Sequence, residues 1–215
     1  MRIPFRVLLS LIATFAVSGL SAHAFTVIKN VNTGNPPVEK LVIFDKTKGA
    51  ATGVTFKVDN APTSINADGA IESVITGNKK LDIEIDWKPS ATVPETFDAT
   101  QYNFLLLTCH MEGTTHKTDP YSGKVGDLPI GNLYFSVVLR DVNGQNVGWA
   151  NLADVTDDAK TPTTTTELQI PMILFSKFSP ADVHHIKAIA FPWGDTHPEM
   201  NRDMHFIIDK ISLAE

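Results

Sequence analysis

Three carboxylates stand at alternate positions of one short segment, Leu81-Asp82-Ile83-Glu84-Ile85-Asp86-Trp87. Neighbouring side chains on an extended strand point to opposite faces, so Asp82, Glu84 and Asp86 share one face and Leu81, Ile83, Ile85 and Trp87 the other. Carboxylates spaced along one strand can divide the work of glycoside hydrolysis, one as nucleophile or base and one as proton donor. An antiparallel strand with one buried and one solvated face has the same alternation. A solvated outer face is the plainer expectation here.

A second constellation is built for binding. Tyr134, Ser136, Val138 and Arg140 alternate with Leu133, Phe135, Val137 and Leu139, which form the better core set. With that core set turned inward, Tyr134 and Arg140 face out on the concave side of a sheet. Asp141-Val142-Asn143-Gly144 then reads as a hairpin turn, and the returning strand, Val147 to Leu152, puts Trp149 and Asn151 on one face. Flat aromatic rings suit the apolar side of a pyranose, and planar polar groups suit its hydroxyls. Tyr134, Arg140, Trp149 and Asn151 are therefore candidate glycan-binding residues, with Trp193 at a loop rim. Core packing is the competing role for Trp149.

Other chemistries lack their residues. The seven histidines include no His-x-His and no His-Glu-x-x-His, and no set of convergent zinc ligands can be picked out. Gly-x-Ser-x-Gly, a phosphate-binding Gly-Lys loop and a dinucleotide fingerprint are also missing. Cys109 is the sole cysteine, so no intramolecular disulfide can form. Its apolar setting, Phe104 to Met111, predicts a buried inert thiol, and the adjacent His110 points to the opposite face of the strand.

The elements that must position these residues are strands. Apolar runs are short and bounded by Gly, Asn, Asp, Pro and Thr, and no helical period is sustained. Strands are expected at Leu41 to Phe44, Gly53 to Val58, Ala70 to Ile75, Leu81 to Trp87, Asn103 to Met111, Leu133 to Arg140, Val147 to Leu152, Glu167 to Pro171, Ile186 to Phe191 and Met204 to Leu213. That number makes two sheets. Gly113 to Gly131 and the Asp- and Thr-rich Ala153 to Thr166 read as irregular loops. Pro180 to His184 reads as a turn entering the next strand.

Arg2 and Arg6 precede an apolar run from Val7 to Val17, and Ala22-His23-Ala24 follows as a small-x-small cleavage site. This predicts a signal peptide over residues 1–24 and one domain over residues 25–215. The apolar run is shorter than the ~18–20 residues of a spanning helix. The chain holds 18 basic and 24 acidic residues; removing Arg2 and Arg6 takes the formal charge from -6 to 16 - 24 = -8. An acidic chain of this kind is a poor partner for a phosphate backbone, so nucleic acid is not expected. The signal peptide predicts a secreted or periplasmic product, and the absence of any Asn-x-Ser/Thr acceptor fits a bacterial source.

The order of Leu133 to Arg140, the Asp141 to Gly144 turn, Val147 to Leu152, Glu167 to Pro171, Ile186 to Phe191 and the closing Phe206-Ile207-Ile208-Asp209-Lys210-Ile211-Ser212-Leu213 resembles the second half of the β-sandwich carbohydrate-binding modules, the galactose-binding-domain-like jelly rolls. The resemblance implies an all-β, two-sheet antiparallel jelly roll that binds a polysaccharide or glycan without turning it over. It also implies structural Ca²⁺ near converging chain ends, held by Asp45 and Asp209 together with carbonyl oxygens. The alternatives are a secreted glycoside hydrolase or lyase using Asp82, Glu84 and Asp86, and a structural or adhesion sandwich without a ligand. Against hydrolysis, the carboxylate spacing departs from the Glu-x-Asp-x-x-Glu and Glu-x-Asp-x-Glu patterns of laminarinase-like enzymes.

Overall fold

A computed structural model describes residues 36–48, 54–58, 62–78, 81–118, 121–128, 136–151, 163–175, 182–193 and 200–215. The predicted signal peptide lies outside the described residues, as do Tyr134 and most of the loop from Ala153. Twelve strands follow in chain order: β1 (Glu39–Asp45), β2 (Val54–Val58), β3 (Thr63–Ile65), β4 (Ile71–Gly77), β5 (Leu81–Trp87), β6 (Phe104–Thr118), β7 (Val125–Leu128), β8 (Ser136–Asp141), β9 (Asn146–Asn151), β10 (Thr166–Pro171), β11 (Ile186–Trp193) and β12 (Met200–Ala214). Each of the ten expected strands has a counterpart among the described residues, with Gly53, Leu133 to Phe135 and Leu152 of the expected ranges lying outside them. No helix among the described residues is long and apolar enough to cross a membrane.

Two strands were not legible as strands, and one expectation is overturned. Gly113 to Gly131, read as an irregular loop, contains the end of β6, a turn at 121–123 and all of β7, which pairs Thr115 with Leu128 and Thr118 with Val125. Its polar composition misled because the described residues Glu112 to Thr114 are exposed and need no apolar alternation. β3 is three residues long, too short to show a period. The turn expected before β11 is present, with the His185 amide donating to the Asp182 carbonyl at 3.3 Å.

The strands form two antiparallel sheets facing one another, a jelly-roll β-sandwich. The seven-stranded sheet is built on β6 and β12, which pair from Phe104 opposite Ala214 to Lys117 opposite Met200. β12 carries β4 and β1 end to end on its other edge, with β3 outside β4; β6 likewise carries β10 and β7. The five-stranded sheet has the order β2-β5-β11-β8-β9.

Alternate residues of both sheets meet between them: Ile83, Ile85 and Trp87 of β5, Leu105, Leu107, Cys109 and Met111 of β6, and Ile189 and Phe191 of β11. Phe191 and Phe206, one from each sheet, bring their ring centroids within 5.7 Å. Cys109 is fully buried, and desolvation pushes its thiol above the ordinary range, which makes it inert as expected. On β12 the core residues change parity, from Met204, Phe206 and Ile208 to Ile211 and Leu213. Asp209 is the extra residue of a bulge at that point, since Ile208 pairs with Cys109 and Lys210 with Thr108.

Two glycines are required by close approach of backbone. Gly113 has φ of 101°, and a Cβ there would lie 2.0 Å from the Asp203 carbonyl oxygen. At Gly148 of β9 a Cβ would lie 1.8 Å from the carbonyl oxygen of Phe175, in the 3-10 turn Met172–Phe175 that covers this strand. Backbone cannot yield as a flexible side chain can. Gly148→Ala is therefore expected to cost about 3 kcal/mol or more, read as a lower urea midpoint, while Gly126→Ala, in open space, stays within about 0.5 kcal/mol of the parent. Equal midpoints for the two variants would remove the turn from its place over β9.

Candidate functional site

The outer face of the five-stranded sheet follows from the register of its strands. Ala188 of β11 lies between Asp86 of β5 and Arg140 of β8, and the row continues to Thr55 of β2 and Asn146 of β9. In the next row Ala190 lies between Glu84 and Val138, continuing to Lys57 on one side and Trp149 on the other. Ser136 and Asn151 pair beyond Val138 and Trp149. The two alanines of the central strand leave room for long side chains from both flanks to meet above them.

Glu84 is where they meet. Its side chain is only 8% exposed, and each carboxylate oxygen takes one cation: Lys57 Nζ donates to Oε1 at 2.6 Å, and Arg140 Nη1 donates to Oε2 from across β11. Burial alone would raise the pKa of Glu84, but the bonds from Lys57 and Arg140 outweigh it and hold the carboxyl below its ordinary value. The bond to Glu84 in turn raises the pKa of Lys57. The solvated face expected for this strand is thus overturned at Glu84: a charged side chain in a sheet face becomes buried when partners from two neighbouring strands close over it. A proton donor needs a raised pKa, so Glu84 has the wrong perturbation for that role. Asp86 is half-buried, with Lys187 Nζ 3.7 Å from its Oδ1. Asp82 is placed by backbone alone, opposite Pro192.

Arg140, Trp149 and Asn151 share this outer face, as the alternation predicts. Trp149 is 40% exposed, which removes it from the core. Asn151 Oδ1 accepts from Ser136 Oγ at 2.8 Å. Tyr134 lies outside the described residues, and Trp193 is placed by backbone alone as the last residue of β11, opposite Leu81. Sequence reasoning missed Lys57 and Asn146. Asn146 Oδ1 accepts from Arg140 Nε at 3.0 Å, because Val147 is an extra residue between the Arg140–Asn146 and Leu139–Gly148 pairs and turns Asn146 onto the face of Trp149.

The two expected calcium ligands lie at the paired ends of β1 and β12, where Asp45 stands opposite Lys210. Asp45 Oδ1 accepts from the amide and hydroxyl of Thr47 at 2.9 and 2.6 Å, which lowers its pKa. Asp209 is buried with Oδ2 3.0 Å from Lys46 Nζ, leaving Oδ1 without a hydrogen bond. Calcium takes about six to eight oxygens, and among the described residues no three His, Cys, Asp or Glu side chains converge. An ion at this pair would need carbonyl oxygens beside Asp45 and Asp209, and Lys46 is the cation at Asp209 Oδ2. Four histidines are paired singly with carboxylates: His110 with Glu112, His184 with Asp98, His185 with Asp182 and His205 with Glu72.

No family model and no curated protein matches the chain. It is similar to solved structures of carbohydrate-binding modules. The family 11 module of a cellulosomal cellulase of Clostridium thermocellum is 11% identical over 84% of this chain and 97% of that one, with a TM-score of 0.44. The family 11 module from Clostridium thermocellum in complex with a β-1,3-1,4-mixed-linked tetrasaccharide is 13% identical over 83% and 97%, with a TM-score of 0.46. A family 29 module complexed with mannohexaose is 14% identical over 83% and 93%, with a TM-score of 0.42. At such identities and scores, function must be read from the side chains of this chain's own face.

The Asp209 geometry has a direct consequence for calcium. Thermal melting in excess calcium and in chelator is expected to give coincident curves, since a ligand stabilises only a native state that binds it. A higher melting temperature in calcium, abolished by Asp209→Asn, would place an ion there.

Proposed function

We propose that the chain is an exported carbohydrate-binding β-sandwich that takes a glycan on the outer face of its five-stranded sheet and leaves it chemically unchanged. The single observation carrying this is the half-exposed indole of Trp149 in one face with Arg140, Asn146 and Asn151. An indole offers a flat apolar surface to the C–H side of a sugar ring, and releasing water from both favours contact. The guanidinium and the two carboxamides supply directed hydrogen bonds that fix the orientation of the ring. Burial of the alanine floor and the Lys57–Glu84–Arg140 bonds keep these groups in place before a ligand arrives, which lowers the ordering cost of binding.

Catalysis by the carboxylates is the weaker reading. Glu84 has a cation on each oxygen, and its pKa moves away from the value a proton donor needs. Export is supported by the Arg2, Arg6 and Val7 to Val17 pattern ahead of Ala22-His23-Ala24.

Affinity electrophoresis through a panel of polysaccharides, followed by Trp149→Ala on each polysaccharide that binds, tests the site. The variant is expected to weaken binding about tenfold or more, equal to about 1.4 kcal/mol or more. Unchanged binding would move the ligand elsewhere on the molecule. Reducing-sugar release is expected from neither the parent nor Glu84→Gln, and release by the parent that Glu84→Gln abolishes would make the protein a hydrolase.

A further inference from the structure

We infer that the glycan is acidic, carrying uronic-acid carboxylates; this rests on the binding face proposed above. The inference comes from counting what that face has left to offer. Arg140 has five N–H donors, and two are used, by Asn146 Oδ1 and Glu84 Oε2. Lys57 has three, and one is used, by Glu84 Oε1. Both Glu84 oxygens are occupied by cations. The carbonyl oxygens of Asn146 and Asn151 are also engaged, by Arg140 Nε and Ser136 Oγ. Arg140 Nε can only donate, so it fixes the amide orientation at Asn146 and turns the NH₂ group to the remaining side.

The face therefore presents donors. Among the described residues three N–H groups remain on Arg140, two on Lys57 and the amide NH₂ groups on Asn146 and Asn151, while both oxygens of Glu84 and the carbonyl oxygens of Asn146 and Asn151 already accept a bond, which leaves Asp86 as the one carboxylate of these rows without a hydrogen bond at Oδ1. A sugar hydroxyl both donates and accepts, and would find acceptors scarce. A carboxylate only accepts, and its bonds to a guanidinium and an ammonium are charge-assisted. The Lys57–Glu84–Arg140 group also carries one uncompensated positive charge on a chain whose formal charge is -6. Lys57 is the accessible member, its side chain 72% exposed. Asp86 shares the Ala188 row with Arg140; its Oδ1 is buried without a hydrogen bond, and Lys187 Nζ, 3.7 Å away, balances its charge.

Affinity electrophoresis of the full chain separates the possibilities. One set of gels holds polygalacturonate, alginate or glucuronan; the other holds mixed-linked β-glucan, mannan or highly methyl-esterified pectin. Retardation is expected in at least one uronate gel and in none of the neutral ones, and it should fall as salt rises from about 50 to about 500 mM. Lys57→Met, with melting compared against the parent to separate lost binding from lost fold, is expected to weaken it about tenfold. Retention by neutral gels alone, or equally by esterified and free pectin, would overturn the acidic preference and leave glycan binding standing. Uronate retention unchanged by Lys57→Met would also overturn it. Retention by none would overturn the glycan reading as well.

Discussion

β6 and β12, 15 residues each, hold the sandwich together, because every other strand of the seven-stranded sheet but β3 is attached to one or the other. A pairing this long keeps one face in the core only if the side-chain phases of the two strands stay matched. β6 keeps strict alternation from Leu105 to Met111, and β12 keeps step with it through the single extra residue at Asp209. Without that bulge Ile211 and Leu213 would turn to the outer face, since a slip of one residue exchanges the two faces. The core so formed presses against the five-stranded sheet and decides which of its residues are left to face outward.

What is left facing outward is organised by charge. Removing a carboxylate from water costs several kcal/mol unless partners replace the lost hydration, and Glu84 has Lys57 on one side and Arg140 on the other. Arg140 reaches Glu84 only because the strand between them carries Ala188 and Ala190. The same guanidinium orients Asn146, and Trp149 stands one row away. An arrangement that spends its acceptors internally leaves donors around an exposed indole, which suits recognition better than bond cleavage.

The parts of this account legible in the sequence are those that depend on a period of two within one segment. Leu81 to Trp87 declares both its faces, and the turn at Asp141 to Gly144 makes β8 and β9 a hairpin, so Arg140, Trp149 and Asn151 could be placed together. Relations between distant segments were not legible. Lys57 meets Glu84 through the β2–β5 register, which no local pattern encodes. Asn146 has the opposite parity to Trp149, and only a bulge brings them to one face. β7 was hidden for a different reason: its described residues Val125 and Gly126 are exposed, and exposed polar residues carry strand as readily as loop. The burial of Glu84 was misjudged because alternation tells which face a side chain takes, and says nothing of what closes over it.

The central claim is that ligand meets the outer face of the five-stranded sheet at Trp149, and indole chemical shifts test it most directly. The ¹⁵N-labelled protein has three tryptophans, Trp87, Trp149 and Trp193, and Trp87 is a buried reference whose Nε1–H donates to the Pro94 carbonyl at 3.0 Å. Titration with oligogalacturonate, and separately with mixed-linked β-glucan oligosaccharides, is predicted to move the Trp149 indole signal together with amides of β5, β8 and β9 in at least one series, while the Trp87 indole stays still. Shifts gathered on the seven-stranded sheet with the Trp149 signal unmoved would contradict the claim.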